Sequence, residues 1–249
     1  MNDQELTRAV WQDLAAIEQS STLARLHEEY DKERRKKKVG AETSYLRYYP
    51  IRTKAKNNWI IFLLKSPEVS RYRNSQDISF YPIVYYFGPK GFTVFKPDSA
   101  SGLLFVFQGH VFTRYCQRMQ LSFSDPLEKI RHFFTHNAVA EHQVTTQKNR
   151  LLSIGICRDG ALLGEYRENI KWVFNRTFVN REVFRRYQHR VERQIAEEPE
   201  GWAALLWQQW NKQDNLKRAS LMMKEPGKTL APPFLLPTSL LGTAPYAPR

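Results

Sequence analysis

The chain has 249 residues, 42% of them hydrophobic and 13% aromatic, with a formal net charge of +13. That is enough apolar material for a sizeable core in one or two domains. Cys116 and Cys157 fit neither a disulfide framework nor a zinc cage. The longest apolar run, Trp59–Leu64, is strand-sized, and Met1–Glu5 is polar, so a cytoplasmic protein with no membrane partner and no secretory leader is expected.

Residues 3–38 read as helix, because Leu6, Val10, Leu14 and Ile17 recur at spacings of three and four, with Trp11 beside them. Ser20-Ser21-Thr22 can break it in two. The second piece carries Leu23, Leu26 and Tyr30, then Arg34, Arg35, Lys36, Lys37 and Lys38. Cations at a helix C-terminus offset the macrodipole, and Gly40 supplies a stop. The same five cations can instead form a phosphate-binding arm.

Aromatic and β-branched residues then dominate, predicting strands over Tyr45–Thr53, Trp59–Leu64, Tyr81–Phe87, Phe92–Lys96 and Leu103–Gln108. Residues 66–79 read as a polar loop, and Gly88-Pro89-Lys90-Gly91 as a hairpin turn. A helix follows from His110 to Met119. A second starts at Ser124-Asp125-Pro126-Leu127-Glu128, where Asp125 can cap and Pro126 fits the first turn, and runs to Thr135. Residues 136–149 read as a polar stretch. Three more strands are expected over Leu151–Cys157, Ala161–Tyr166 and Ile170–Val179, the first two joined by the turn Arg158-Asp159-Gly160. Asn180 can cap a helix to Glu197, and a last helix can span Trp202–Arg218. Residues 225–249, with Pro226, Pro232, Pro233, Pro237, Pro245 and Pro248, read as a disordered tail.

The expected fold class is α+β, a mainly antiparallel β-sheet with flanking helices, a helical N-terminal segment and a disordered Pro-rich C-terminal tail. The expected divisions are 1–40 (basic helical segment), 41–108 (aromatic-rich β module), 109–198 (α+β module), 199–224 (helix) and 225–249 (tail).

A strongly basic chain attracts polyanions, and nucleic acid is the commonest such partner. His110, Arg114 and Arg118 are spaced by four, so one helix face carries all three. A histidine can move a proton near neutral pH, and a guanidinium can hold phosphate oxygens in bidentate fashion. The bland alternative is a solvated helix face. This helix, a second short helix and a β-meander ending in Phe174-Asn175-Arg176-Thr177-Phe178 resemble the barnase–EndoU–colicin–RelE group of small ribonuclease and toxin folds. Within it they resemble the families with a His-x3-Arg-x3-Arg helix. The resemblance covers residues 109–190. It implies a helix packed on an antiparallel sheet and a metal-independent RNA-cleaving site built from His110, Arg114, Arg118, Arg176 and Thr177. His110 would be base or acid, the arginines a phosphate clamp, Thr177 a hydrogen-bond donor, and Tyr166 or Tyr187 a stacking surface for a base. The strands before His110 lie outside that minimal domain.

His132 and His136 are four apart, a spacing that can put two ligands on one metal, with His142 nearby. No carboxylate completes a zinc-protease pattern, and no metal or cofactor is assigned. The helix after Asn180 places Arg186, Arg190 and Arg193 on one face, broadened by Arg181 and Arg185, a candidate nucleic-acid contact. Three function classes follow: a toxin-type ribonuclease acting on RNA rather than DNA, a non-catalytic nucleic-acid-binding factor, and an adaptor docking a protein partner through the Pro-rich tail or the N-terminal helix.

Overall fold

The computed structural model describes residues 2–39, 45–65, 78–89, 91–137, 140–147, 150–180 and 182. All lie in the first of the two units into which the chain divides, 1–183. The order is α1 (Asp3–Glu18), α2 (Ser21–Lys36), β1 (Tyr45–Arg52), β2 (Asn58–Lys65), β3 (Ser79–Gly88), β4 (Gly91–Asp98), β5 (Leu103–Gln108), α3 (Gly109–Arg118), α4 (Pro126–His136), β6 (Glu141–Gln147), β7 (Arg150–Ile156), β8 (Gly160–Arg167) and β9 (Trp172–Asn180). The helices expected beyond Asn180, the Pro-rich tail and most of the 66–79 loop lie outside the described residues.

Local chemistry sets the helix starts. The Asn2 side chain accepts from the Glu5 amide, and the Glu5 carboxylate accepts from the Asn2 amide, a reciprocal pair that satisfies two orphan donors of α1. Ser20 caps α2 through Thr22, which is why the long apolar pattern breaks there. Asp125 caps α4 through Leu127, with Pro126 in the first turn.

The strands form one sheet in the order β1-β2-β3-β4-β5-β9-β8-β7-β6. Strands β1 to β5 are an antiparallel meander, and β6 to β9 are another. They join through β5 and β9, the one parallel pair among the described residues. A parallel pair needs a crossover, and here α3, α4 and the second meander supply it. The expected modules 41–108 and 109–198 therefore share a continuous sheet, and the boundary between them falls where β5 hands over to α3.

Helices cover both faces. Residues from α1 and α2 (Val10, Leu14, Ile17, Leu26, Tyr30) pack on Trp59, Ile61, Leu63, Val84, Phe95, Leu104, Val106 and Trp172. Residues from α3 and α4 (Val111, Phe112, Tyr115, Ile130, Phe133, Phe134) pack on Ile60, Phe62, Ile83, Val94, Phe105, Phe107, Leu162, Val173 and Phe178. Successive strand residues point to opposite faces, so β2 and β5 serve both cores and read as unbroken apolar runs.

Strand β6 corrects the sequence reading, which left residues 136–149 as a polar stretch. Its sequence, Glu-His-Gln-Val-Thr-Thr-Gln, lacks apolar alternation. It is a sheet edge held by its ladder with β7 and by the His142 ring, which packs on Phe105 at 4.5 Å between centroids. The ring occupies the space that a side chain at Gly155, its cross-strand partner, would fill. Among the described residues, no helix is long and apolar enough to cross a membrane.

Candidate functional site

Helix α3 buries Val111, Phe112, Tyr115 and Cys116 as one stripe and turns His110, Thr113, Arg114 and Gln117 outward. The expected alignment of His110 and Arg114 is present, and His110 is exposed rather than a core residue. Arg114 donates from Nε to His110 Nε2 at 3.4 Å and from Nη1 to Gln117 Oε1 at 3.2 Å. Arg118 is half-buried at the end of the helix, and its Nη1 has no hydrogen-bond partner. Burial and the neighbouring Arg114 lower its affinity for the proton. None of His110, Arg114 and Arg118 is paired to a carboxylate among the described residues. The end of β9 fixes this end of the helix, because Asn180 Nδ2 donates to the Arg118 carbonyl at 2.9 Å.

The fold does not bring Arg176 and Thr177 to that face. In β9, Val173 and Phe178 point into the core under α3 and α4. The register slips between them: Gly164 pairs with Asn175 and Leu163 with Thr177, which leaves Arg176 as the bulged residue. Thr177 pairs with Leu163, the neighbour of core residue Leu162, and so lies on the opposite side of the sheet. Arg176 ion-pairs with Glu165 at 2.8 Å and lies over the Phe174 ring, which packs with the α1–α2 core. The bulge permits close backbone approach at Gly164, where a side chain would collide with the Phe174 carbonyl. Tyr166, expected as a possible stacking surface, packs against the α3–α4 core.

A second polar cluster forms where α3, α4 and the β7–β8 turn meet. Asp159 Oδ2 accepts from Tyr115 Oη at 2.9 Å and from Asn137 Nδ2 at 3.0 Å, and the Asp159 amide donates to Asn137 Oδ1 at 3.0 Å. Tyr115 Oη is 3.1 Å from His132 Nδ1. Its proton is engaged by Asp159, so the hydroxyl oxygen accepts from His132, which puts the ring proton on Nδ1 and the lone pair on Nε2. His136 Nδ1 is 3.9 Å from Asp159 Oδ2, and the His132 and His136 rings stack at 4.3 Å with an interplanar angle of 12°. Burial, then the charge of His136, holds His132 below the usual histidine range, while burial and the bond to Asp159 push the Tyr115 phenol up.

The chain matches no known family model, curated protein or solved structure.

Elsewhere, a cavity of about 420 Å³ is walled by Tyr81, Lys96, Asp98, Phe105 and His142. Burial brings the Lys96 ammonium down to about 8, and its Nζ lies 5.4 Å from the centre of the Tyr81 ring. Of the basic run closing α2, Arg34 pairs with Asp31, whereas Arg35, Lys36, Lys37 and Lys38 are exposed. Arg181, Arg185, Arg186, Arg190 and Arg193 lie outside the described residues. Sequence reasoning missed Tyr115, and also Asn137 and Asp159, which read as part of a polar stretch and as a turn. Only the spacing of His132 and His136 signalled that corner.

Proposed function

We propose that this protein contacts nucleic acid through the outer face of α3, and that its reaction is metal-independent cleavage of RNA. The observation that carries the reading is the set His110, Arg114 and Arg118: a histidine and two guanidiniums on one short helix, with no carboxylate partner among the described residues, in a chain of net charge +13. Unpaired guanidiniums remain able to take phosphate oxygens in bidentate fashion. His110 would take the ribose 2′-hydroxyl proton, and Arg114 and Arg118 would hold the phosphate as negative charge builds on it. The order of two helices followed by an antiparallel meander is the one on which the resemblance to the ribonuclease and toxin group rests.

Non-catalytic binding is the second reading, favoured by the position of Arg176 and Thr177 away from α3. The test is cleavage of single-stranded RNA in excess chelator. The nuclease reading expects a cyclic phosphate product, no action on DNA, and a rate about 10²- to 10⁴-fold lower in His110→Ala. Arg118→Lys should also be slower, because a point charge does not reproduce the guanidinium fork. RNA that stays intact but bound, with affinity that falls as salt rises, would select the non-catalytic reading.

A further inference from the structure

We infer that the first meander, on the α3–α4 side of the sheet, carries a stacking platform for the unpaired bases of single-stranded RNA. The inference rests on the nucleic-acid reading above. It adds the strandedness of the ligand and the residues that select it: Phe87 and Tyr48 for the bases, Arg52, Lys54 and Lys56 for the phosphates.

Two aromatic rings among the described residues are exposed, Phe87 at 60% and Tyr48 at 41%. Cross-strand register puts both on one face. Tyr48 pairs with Phe62 of the α3–α4 core, and Arg52, four residues along β1, pairs with Asn58, which pairs in turn with Tyr85. Strand residues two apart share a face, so Tyr48, Arg52, Tyr85 and Phe87 line the same side. The Phe87 ring stands edge-on to Tyr85 at 5.7 Å and lies 6.2 Å from Phe92. Phe92 reaches the foot of α3, since a side chain at Gly109, the first residue of that helix, would stand 3.2 Å from its ring. The row of rings therefore runs up to the helix that carries His110 and Arg114.

The charges beside these rings are mostly cations. Arg52 is exposed on that face, and Lys54 and Lys56 are exposed in the turn that follows it, at the end of the sheet nearest Phe87. None of the three is ion-paired to a described residue. Helix α4 adds Arg131, whose guanidinium carbon stands 5.1 Å from the centre of the Tyr48 ring. The acids at the start of α4 are Asp125 and Glu128, and the Asp125 carboxylate is engaged by the Leu127 amide as the helix cap. Exposed rings interleaved with unpaired cations match a polymer that alternates planar bases with phosphates. Only a single strand offers its base faces, because in a duplex each base is already stacked on its neighbours. An apolar protein surface would cover the rings but leave the cations beside them without a counter-charge.

The test is fluorescence anisotropy of the full chain with three labelled probes of equal length: a single-stranded RNA, its duplex, and an abasic RNA strand. The unmodified chain should bind the single strand more tightly than the abasic strand, a comparison that needs no variant. Phe87→Ala and Tyr48→Ala should each weaken single-strand binding about 5- to 140-fold, the loss of one stacked base. Affinity for the duplex and the abasic strand should stay the same, and so should the salt slope, because no charge is removed. Phe87→Trp, which keeps a ring, should bind the single strand like the unmodified chain. Equal affinity of the unmodified chain for the single and abasic strands would overturn the platform and leave the α3 reading standing. Single-strand affinity unchanged in both alanine variants would do the same, as would a loss in Phe87→Ala that is equal for all three probes. Absence of salt-dependent binding to every probe would remove the nucleic-acid reading, and the platform with it.

Discussion

Two hydrogen-bonded aspartates, buried Asp13 and partly buried Asp159, stand on opposite sides of the sheet. Asp13 of α1 accepts from Thr53 Oγ1 at 2.9 Å, Asn57 Nδ2 at 3.0 Å and Trp59 Nε1 at 2.6 Å. Asp159 accepts from Tyr115 and Asn137 and has two imidazoles close by. Every partner of Asp13 is a donor with no other chemistry to offer, and together they tie α1 to the β1–β2 hairpin. Elsewhere in that layer Trp172 Nε1 donates to Thr7, and Tyr30 Oη donates to the Tyr45 carbonyl while accepting from the Lys65 amide, whereas His27 Nε2 and Tyr49 Oη are buried without a hydrogen-bond partner among the described residues. Around α3 and α4, Tyr115 Oη is also 3.1 Å from His132 Nδ1, the His132 and His136 rings stack beside Asp159, and Arg118 Nη1 is buried without a hydrogen-bond partner among the described residues. A carboxylate whose bonds all go to scaffold donors is a tie; one with two imidazoles beside it sits among groups that can also hold or move a proton.

The comparison breaks first if Asp13 is not a tie. Asp13→Ala leaves three donors without their acceptor, each costing about 1–3 kcal/mol when buried, so a loss of roughly 3 kcal/mol or more is expected. At about 2–4 °C per kcal/mol for a chain of this size, the melting temperature should fall by roughly 6–12 °C. Asp13→Asn keeps one acceptor oxygen and should lose less. An unchanged melting temperature in Asp13→Ala would remove the contrast between the layers.

A smaller effect comes from His142, a polar residue on the α3–α4 side that the core has absorbed. Burial, then the nearby Lys96 charge, brings its pKa down to about 4. The unfolded chain takes up a proton near 6.5, the folded protein only near 4. Its stability contribution is therefore fully present above about 6.5 and is lost as pH falls toward 4, by at most about 1.4 kcal/mol per pH unit. Urea unfolding between pH 7.5 and 4.5 should show His142→Gln with a shallower loss than the unmodified protein. Equal slopes would mean that His142 charges freely in the folded state.

The fold was largely legible in the sequence because its signals are local. Apolar spacing located α1 and α2, aromatic alternation located β1 to β5, and Asp125-Pro126 located the start of α4. Strand β6 escaped because an edge strand can be stabilised by its backbone ladder and one ring rather than by an apolar face. The site was legible only where it lies on one element. His110, Arg114 and Arg118 share α3, so a spacing of four was enough. Asp159 and Tyr115 are brought together across 44 residues, and no local pattern announces that contact. The face that Arg176 and Thr177 share was not legible either: strict alternation would put the two on opposite faces, and the bulge at Arg176 turns Thr177 to the side of Phe174.

The claim that the α3 side is kept for a ligand is tested most directly by the salt dependence of RNA binding. The measurement is fluorescence anisotropy with a single-stranded RNA across a range of salt, for the unmodified chain and for Arg114→Ala/Arg118→Ala. Two lost phosphate contacts should reduce the slope of log affinity against log salt by about 1.4, at roughly 0.7 per contact on a single strand. Stability should change within about 0.5 kcal/mol at exposed Arg114 and by about 1 kcal/mol at half-buried Arg118, because neither guanidinium is ion-paired to a described residue. A double variant with an unchanged slope, or one that loses the fold rather than the binding, would contradict the account.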